Sequence, residues 1–253
     1  DVHFISMLGK DPFADMALAT WADAGVTPAV EQDGSSYTGA AYIFIEEASG
    51  DNAIIICPGV AGTIDTAFIE AHRNLIANAA VFMTQLEQPM DAAMRALQIA
   101  RDGGAVTILN PAPAADLPAG MLKLCDYVTP NESETAGITG LPVGDVEEAR
   151  AAAEILMAGG AGTAVITLGE NGVLFHDATR SVHVPAFNAG PVVATTGAGD
   201  AFNGAFATAR AEGQDPLDAV RFGCACAASS VTRPGTAPSM PARAEIDALM
   251  SNG

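Results

Sequence analysis

Type and spacing first suggest chemistry in the string Thr195-Thr196-Gly197-Ala198-Gly199-Asp200-Ala201-Phe202-Asn203-Gly204. The apolar segment Pro191-Val192-Val193-Ala194, read as a strand, precedes it, and a small-residue helix from 201 to about 211 is predicted to follow. A strand, a glycine turn and a helix N-terminus leave unpaired N–H groups at the positive end of the helix dipole, which suits an anion. Gly197 and Gly199 are expected to take positive φ and to let the backbone approach a phosphate closely. Asp200 then reads in two ways, as an N-terminal cap or as a base held beside a phosphoryl group. GxxxxGK[ST] does not occur in the chain, so the string is no P-loop. Phe202 fills the place of the third glycine of GxGxxG.

The elements that must position this string read as alternating strands and helices. Strands are expected over 2–8, 80–84, 106–109, 127–129 and 164–168, with further β residues at 173–175. Helices are expected over 13–24, 90–102 and 146–158, with a mostly helical stretch at 63–78 and another helix after Asp215-Pro216. That alternation predicts an α/β fold with a mostly parallel sheet covered on both faces. Two β-rich runs, 37–45 and 52–57, flank Glu46-Glu47-Ala48-Ser49-Gly50-Asp51 and form a hairpin pattern outside the alternation. The expected organisation is one domain over 1–36 and 59–253 with a lid hairpin over 37–58. The apolar residues Tyr42, Phe44, Ile54 and Ile56 are more than one small hairpin buries, which predicts a homodimer through the lid.

Ligands of such sheets bind beyond the carboxyl ends of the strands. Five polar clusters fall there: Gln85-Leu86-Glu87-Gln88-Pro89, Asn110-Pro111-Ala112-Pro113, Thr129-Pro130-Asn131-Glu132-Ser133-Glu134, Thr167-Leu168-Gly169-Glu170 and the Gly197–Asp200 turn. Each alone is an ordinary loop, and together they describe an extended cleft.

Charge narrows the partners. Thirty acidic residues against 11 basic ones leave a net charge of −19, which argues against nucleic acid. No apolar run is long enough to cross a membrane, and no signal peptide is visible. Cys57, Cys125, Cys224 and Cys226 have neither zinc-ligand nor disulfide-framework spacing and are expected as buried thiols in a reducing cytoplasm. Lys10, Asp11 and the four histidines read as surface or structural residues. The chain opens on strand-like residues without an initiator Met, so an upstream piece is expected.

The strings TTGAGDAFNG, QLEQP, LNPAPA, TPNESE, ITLGENGV and SSVTRPGTAPSMP resemble, in place and spacing, those of the ribokinase-like (PfkB) carbohydrate kinase family. The resemblance covers the chain from residue 1 to about 251. It implies a three-layer α/β/α sandwich with a β-lid, and phosphoryl transfer from ATP to a sugar hydroxyl. Ribose, giving D-ribose 5-phosphate, is the first expected acceptor. A fructose, deoxyribose, 2-keto-3-deoxygluconate or nucleoside is the close alternative. A dinucleotide-binding oxidoreductase and a non-catalytic sugar-responsive binder are the alternatives of another class.

By the same resemblance Asp200 is the base for the sugar hydroxyl, and Gly197, Ala198, Gly199 and Asp200 form the anion hole. Glu87 binds the sugar. Asn131, Thr167, Gly169, Gly172, Ala225, Ala228 and Ser229 bind ATP. Glu134 reaches Mg2+ through water, while a capping box between Asn131 and Glu134 is the alternative reading of that pair. Thr196, Arg233, Gly235 and Ser239 surround a monovalent cation, K+. Two departures stand out. The family's first strand and its GGKGxN sugar-binding segment precede Asp1, and Ala194 occupies the place of an aspartate at the K+ site.

Overall fold

Strand β1 (Val2–Leu8) leads through Asp11 into helix α1 (Pro12–Asp23) and back in parallel as β2 (Val26–Gln32). The computed structural model describes residues 1–45 and 52–252. Their contacts divide into two units, Asp1–Leu75 with Glu87–Ala96, and Ile76–Leu86 with Leu97–Gly253. In the first unit, Asp11 caps α1 by accepting the Ala14 N–H at 3.0 Å, and Pro12 sits where its missing N–H costs nothing. Strand β2 was not expected. Pro28 interrupts its run of β formers, and it is tolerated because β1 and β2 make a two-stranded sheet of their own, leaving edge positions that need no donor.

The hairpin forms as β3 (Thr38–Ile45) against β4 (Asn52–Gly59), antiparallel. Its expected turn, Glu46 to Asp51, lies outside the described residues, as does the side chain of Ile54. The contacts group the hairpin with β1, α1 and β2 in the first unit. Its base explains why. Asp11 accepts the Thr38 N–H at 2.7 Å, and the Thr38 hydroxyl accepts the Gly9 N–H at 2.9 Å. Gly59 has φ 55°, and a Cβ there would lie 2.2 Å from the Tyr37 carbonyl oxygen, so only glycine closes this corner. The register pairs Tyr42 with Ile55 and Ala41 with Ile56. Cross-strand partners share a face, so Tyr42, Phe44 and Ile55 lie on one side and Ile43 and Ile56 on the other. The apolar set expected to act together is therefore split between faces, and all five of these side chains are exposed. A 3-10 turn (Val60–Thr63) and the short helices α2 (Thr66–Ala71) and α3 (Arg73–Ala77) follow.

The second unit is built on strands β5 (Val81–Thr84), β6 (Val106–Leu109), β7 (Tyr127–Val128), β8 (Ala164–Thr167), β9 (Val173–His176) and β10 (Ser181–Val184). They form one six-stranded sheet in the order β10-β9-β8-β7-β6-β5, parallel from β5 to β8 and antiparallel at β9 and β10. The helices are α4 (Met90–Gly103), whose first half belongs to the other unit, α5 (Glu132–Thr139), α6 (Val146–Ala158), α7 (Ala198–Ala211), α8 (Pro216–Ser230) and α9 (Arg243–Asn252). Helices α5 and α6 pack on β8, and α7 and α8 pack on each other. Strand β10 was not expected, since four residues with Ser and His at alternate places carry little pattern. Arg150 of α6 reaches this edge and donates to the Ser181 carbonyl at 3.0 Å and to its hydroxyl.

Pro191–Ala194 is no strand. The Val193 and Ala194 N–H groups both turn to the Val231 carbonyl, at 2.7 and 3.2 Å, which the end of α8 leaves without a helical partner. The core joins the sheet to α7 and α8. Phe202 and Phe206 stack with centroids 6.0 Å apart, and Tyr127 meets Phe206 edge-on at 5.1 Å. Gly223 lets the two helices close, because a Cβ there would come within 2.7 Å of the Phe202 ring. All four cysteines are free. Burial pushes the thiols of Cys125 and Cys224 up to about 12 and that of Cys226 to about 11, while Cys57 is only half-buried, short of the burial expected for it. Among the described residues no helix is long and apolar enough to cross a membrane.

Candidate active site

Helix α7 begins earlier than the sequence pattern suggested. Gly197 is its N-cap in the left-handed region, φ 86°, and Ala198 its first residue. Asp200 is therefore not the cap; it is the third helical residue, within the first turn at the dipole's positive end. Gly199 has no positive φ, contrary to expectation, so its role is not conformational. No atom lies within 4 Å of where its Cβ would stand, beyond its own helix and chain neighbours. Its surface is left open. The Ala198 N–H, expected in the anion hole, is taken by the Thr195 carbonyl at 3.1 Å. The first turn thus offers the N–H groups of Gly199 and Asp200, the latter turned toward its own carboxylate. Asp200 keeps an open side. Even so, the protein around it displaces enough water to hold its pKa above the ordinary 3.8.

Asn131 and Glu134 form the capping box of α5. The Glu134 carboxylate accepts the Asn131 N–H at 2.9 Å and its amide at 3.0 Å, while Asn131 accepts the Glu134 N–H at 2.8 Å. Glu134 is buried, and burial raises its pKa despite the Asn131 bond, with the charges of Glu132 and Asp200 adding to the rise. Each Glu134 oxygen retains a lone pair, so the pair suits a hydrated Mg2+ held through water. It is not a direct cage, and among the described residues no three His, Cys, Asp or Glu side chains gather for a metal.

The neighbouring loops divide in what they offer. The Thr167 N–H donates to the Pro130 carbonyl at 3.0 Å, which sets the end of β8 beside Asn131. Gly169 has φ 52°, and Gly172 has φ 90° with a Cβ position only 2.1 Å from the Val184 carbonyl. Gly172 is thus demanded by the close approach of β10. Ala225 is fully enclosed in the core, and Ser229, also buried, donates its hydroxyl back to the Ala225 carbonyl at 2.9 Å. Ala228 alone of those three is only partly buried. Near Gly197, the side chain of Thr236 lies 3.4 Å from the place of a Cβ. Of the expected cation ligands, Arg233 can contribute only its main-chain carbonyl, whereas Ser239 keeps the lone pairs of its hydroxyl. Arg233 is itself a cation and pairs with Glu245, and the Ser239 hydroxyl donates to the Thr236 carbonyl at 2.7 Å inside the core. Gly235, at φ 89°, offers its main-chain carbonyl, and Thr196, half-buried, offers a carbonyl and a hydroxyl. Glu87 is exposed and belongs to the first unit.

Sequence reasoning passed over Thr129 and Asn203. The Thr129 hydroxyl donates to the Asn203 amide oxygen at 2.6 Å, and the Asn203 amide nitrogen donates to the Gly199 carbonyl at 2.9 Å. An asparagine on the apolar face of α7 was the available signal.

A carboxylate kept partly dry beside main-chain donors at a helix start can take a proton from a hydroxyl while the donors hold phosphoryl oxygens. That is the equipment of a phosphotransferase acting on an alcohol group. The pattern of the pfkB family carbohydrate kinases matches residues 1–243, and the chain belongs to this family. It is 36% identical to the ribokinase of Haemophilus influenzae over 245 residues, 96% of this chain and 79% of the relative. It is 32% identical to the deoxyribokinase of Salmonella typhi, covering 99% of this chain and 82% of the relative. Among solved structures, Arabidopsis thaliana ribokinase complexed with ribose and ATP superposes with a TM-score of 0.92 at 27% identity, covering 98% of this chain and 81% of that one.

Proposed function

We propose that this carbohydrate kinase transfers the γ-phosphoryl group of ATP to a hydroxyl of ribose, giving D-ribose 5-phosphate, with Asp200 as the general base. The observation that carries the reading is the place of Asp200. Its carboxyl, with a raised pKa, stands in the first turn of α7 next to the bare backbone of Gly199. Asp200 takes the hydroxyl proton, and the Gly199 and Asp200 N–H groups receive charge that develops on the transferred oxygens. Bound Mg2+ supplies neutralisation of phosphate charge, and Glu134 with Asn131 would hold it through water. Thr167, Gly169 and Ala228 are the nucleotide contacts we favour, and Glu87 is the sugar contact. K+ binds weakly through carbonyl oxygens, because Ala194 brings no charge. The exposed apolar residues of the hairpin support a homodimer through β3 and β4. Free thiols fit a cytoplasmic protein.

Deoxyribose is the second reading, supported by the deoxyribokinase relative. Measuring ADP release with ribose, deoxyribose, fructose, 2-keto-3-deoxygluconate and a nucleoside tests both. Ribose is expected to give the highest kcat/KM. A higher value for deoxyribose replaces the acceptor, and no ADP above the ATP-only background with any of them overturns the reading.

A further inference from the structure

Six positions of α7 are buried. Five of them, Ala201, Phe202, Ala205, Phe206 and Ala209, are apolar, and the sixth is Asn203. Apolar contacts hold the helix to the sheet, but they are non-directional, and alanines offer little relief to lock its rotation or its position along its axis. A buried amide behaves differently. Its hydrogen bonds have preferred lengths and angles, and leaving them unmade is unfavourable.

Both ends of the Asn203 amide are engaged, by Thr129 at 2.6 Å and by the Gly199 carbonyl at 2.9 Å. Thr129 is itself held from two directions. Its N–H donates to the Leu109 carbonyl at 2.9 Å, and its own carbonyl accepts from the Asn110 amide at 2.8 Å. A continuous set of directed bonds therefore runs from the ends of β6 and β7, through one hydroxyl and one amide, to the turn that carries Asp200. We propose that Asn203 and Thr129 are positioning residues for phosphoryl transfer. Their bond sets the register of the first turn of α7, and so the aim of the Asp200 carboxyl and of the Gly199 and Asp200 N–H groups. The proposal rests on the reading of Asp200 as the base. With the bond broken, Phe202 and Phe206 still keep the helix on the sheet, so the loss falls on geometry at the reacting atoms. Such a loss lowers kcat more than it raises KM.

The test uses the full chain and the variants T129V, T129S, N203A and T129V/N203A, assayed with ATP and the best acceptor from the sugar panel. T129V removes the hydroxyl at nearly constant shape and is expected to lower kcat about tenfold, with KM for ATP and sugar changed less than about twofold. T129S, which returns the hydroxyl, recovers most of that loss. The double variant is expected to be no worse than N203A alone, because one bond is removed twice. A T129V enzyme with kcat within about twofold of wild type, or single effects that multiply in the double variant, would overturn the proposal. Amide hydrogen exchange at Ala201, Phe202 and Asn203 supplies a readout free of turnover. It is expected to quicken about fivefold in T129V and to return toward wild type in T129S. Unchanged exchange overturns the proposal even where kcat falls. Should the wild-type chain release no ADP with any sugar, the proposed function fails while exchange still decides this inference. If N203A does not fold, T129V and T129S carry the test, since the amide stays in place in both.

Discussion

Replacing Asp200 by Asn keeps the shape of the side chain and removes its basicity, so kcat is expected to fall by roughly 10²–10⁴-fold with ATP affinity nearly unchanged. A near-normal turnover would remove Asp200 from the role. The same substitution has a second readout. Burial raises the Asp200 pKa above 3.8, so the fold prefers the neutral acid and the ionised form detracts from stability. D200N is therefore expected to melt above the wild type at neutral pH. That gain is complete above the raised pKa and gone below about 3.8, where the folded and unfolded carboxyls are both protonated. Wild-type turnover should decline as pH falls through the raised pKa. Gly199 makes a complementary case. A methyl group there meets no atom in the fold, and alanine is the better helix former, so G199A is expected to melt at or above the wild-type temperature. The methyl occupies the phosphate's approach, so kcat/KM for ATP should drop at least about tenfold. Normal kinetics in G199A would show that the anion sits elsewhere. At Ala194, the A194D variant is expected to shift half-activation to lower K+ at fixed ionic strength. Tight K+ activation in the wild type that A194D leaves unaltered would refute the weakened site.

Among the elements, Asp11 shows how one carboxylate joins two of them, capping α1 and accepting the Thr38 N–H at the base of β3. The Thr38 bond, followed by that of Ala14, lowers its pKa below the ordinary 3.8. Its contribution is therefore present above 3.8 and lost as pH falls through the lowered pKa. D11A is expected to melt below the wild type at pH 7, with the gap closing in strong acid. Equal melting temperatures at pH 7 would show that the hairpin base is held by other contacts. Much of the element order was legible. Helix α6 runs over the predicted residues because Asp145 caps it and Glu147 and Glu148 fill its first turn. Strands β5, β6 and β8 are short apolar runs between turn residues, and they read as such. What escaped depends on partners distant in sequence. Strand β2 carries a proline, which an edge strand tolerates, and the segment 191–194 has the composition of a strand but meets the end of a helix. The site divides in the same way. Asp200 with its glycines, and Asn131 with Glu134, lie close together along the chain and were visible as spacing. The Thr129–Asn203 bond joins residues 74 apart, and although Asn203 on an apolar helix face hints at a buried partner, nothing local names Thr129 as that partner.

For the whole molecule, the hairpin sets the expected state of association. Tyr42, Phe44 and Ile55 are each more than half exposed on one face, and Ile43 and Ile56 are exposed on the other, which is unfavourable for a chain that stays alone in water. Light scattering at micromolar concentration is expected to give twice the chain mass of 25.6 kDa, and a Phe44→Glu variant is expected to give the single mass. A wild-type monomer at these concentrations would leave the hairpin without this role.

The opposite case is the outer edge of the six-stranded sheet. Strand β10 has only four residues, and Arg150 already occupies the Ser181 carbonyl that an incoming strand would seek first. A short, guarded edge is a poor template for β-sheet growth. Self-association by strand addition is thereby discouraged along this border at the concentrations of a crowded cell. Long storage or mild heating should leave the β10 side free of fibril nuclei, and the chain can expose sticky surface at the hairpin without also offering this edge to its neighbours.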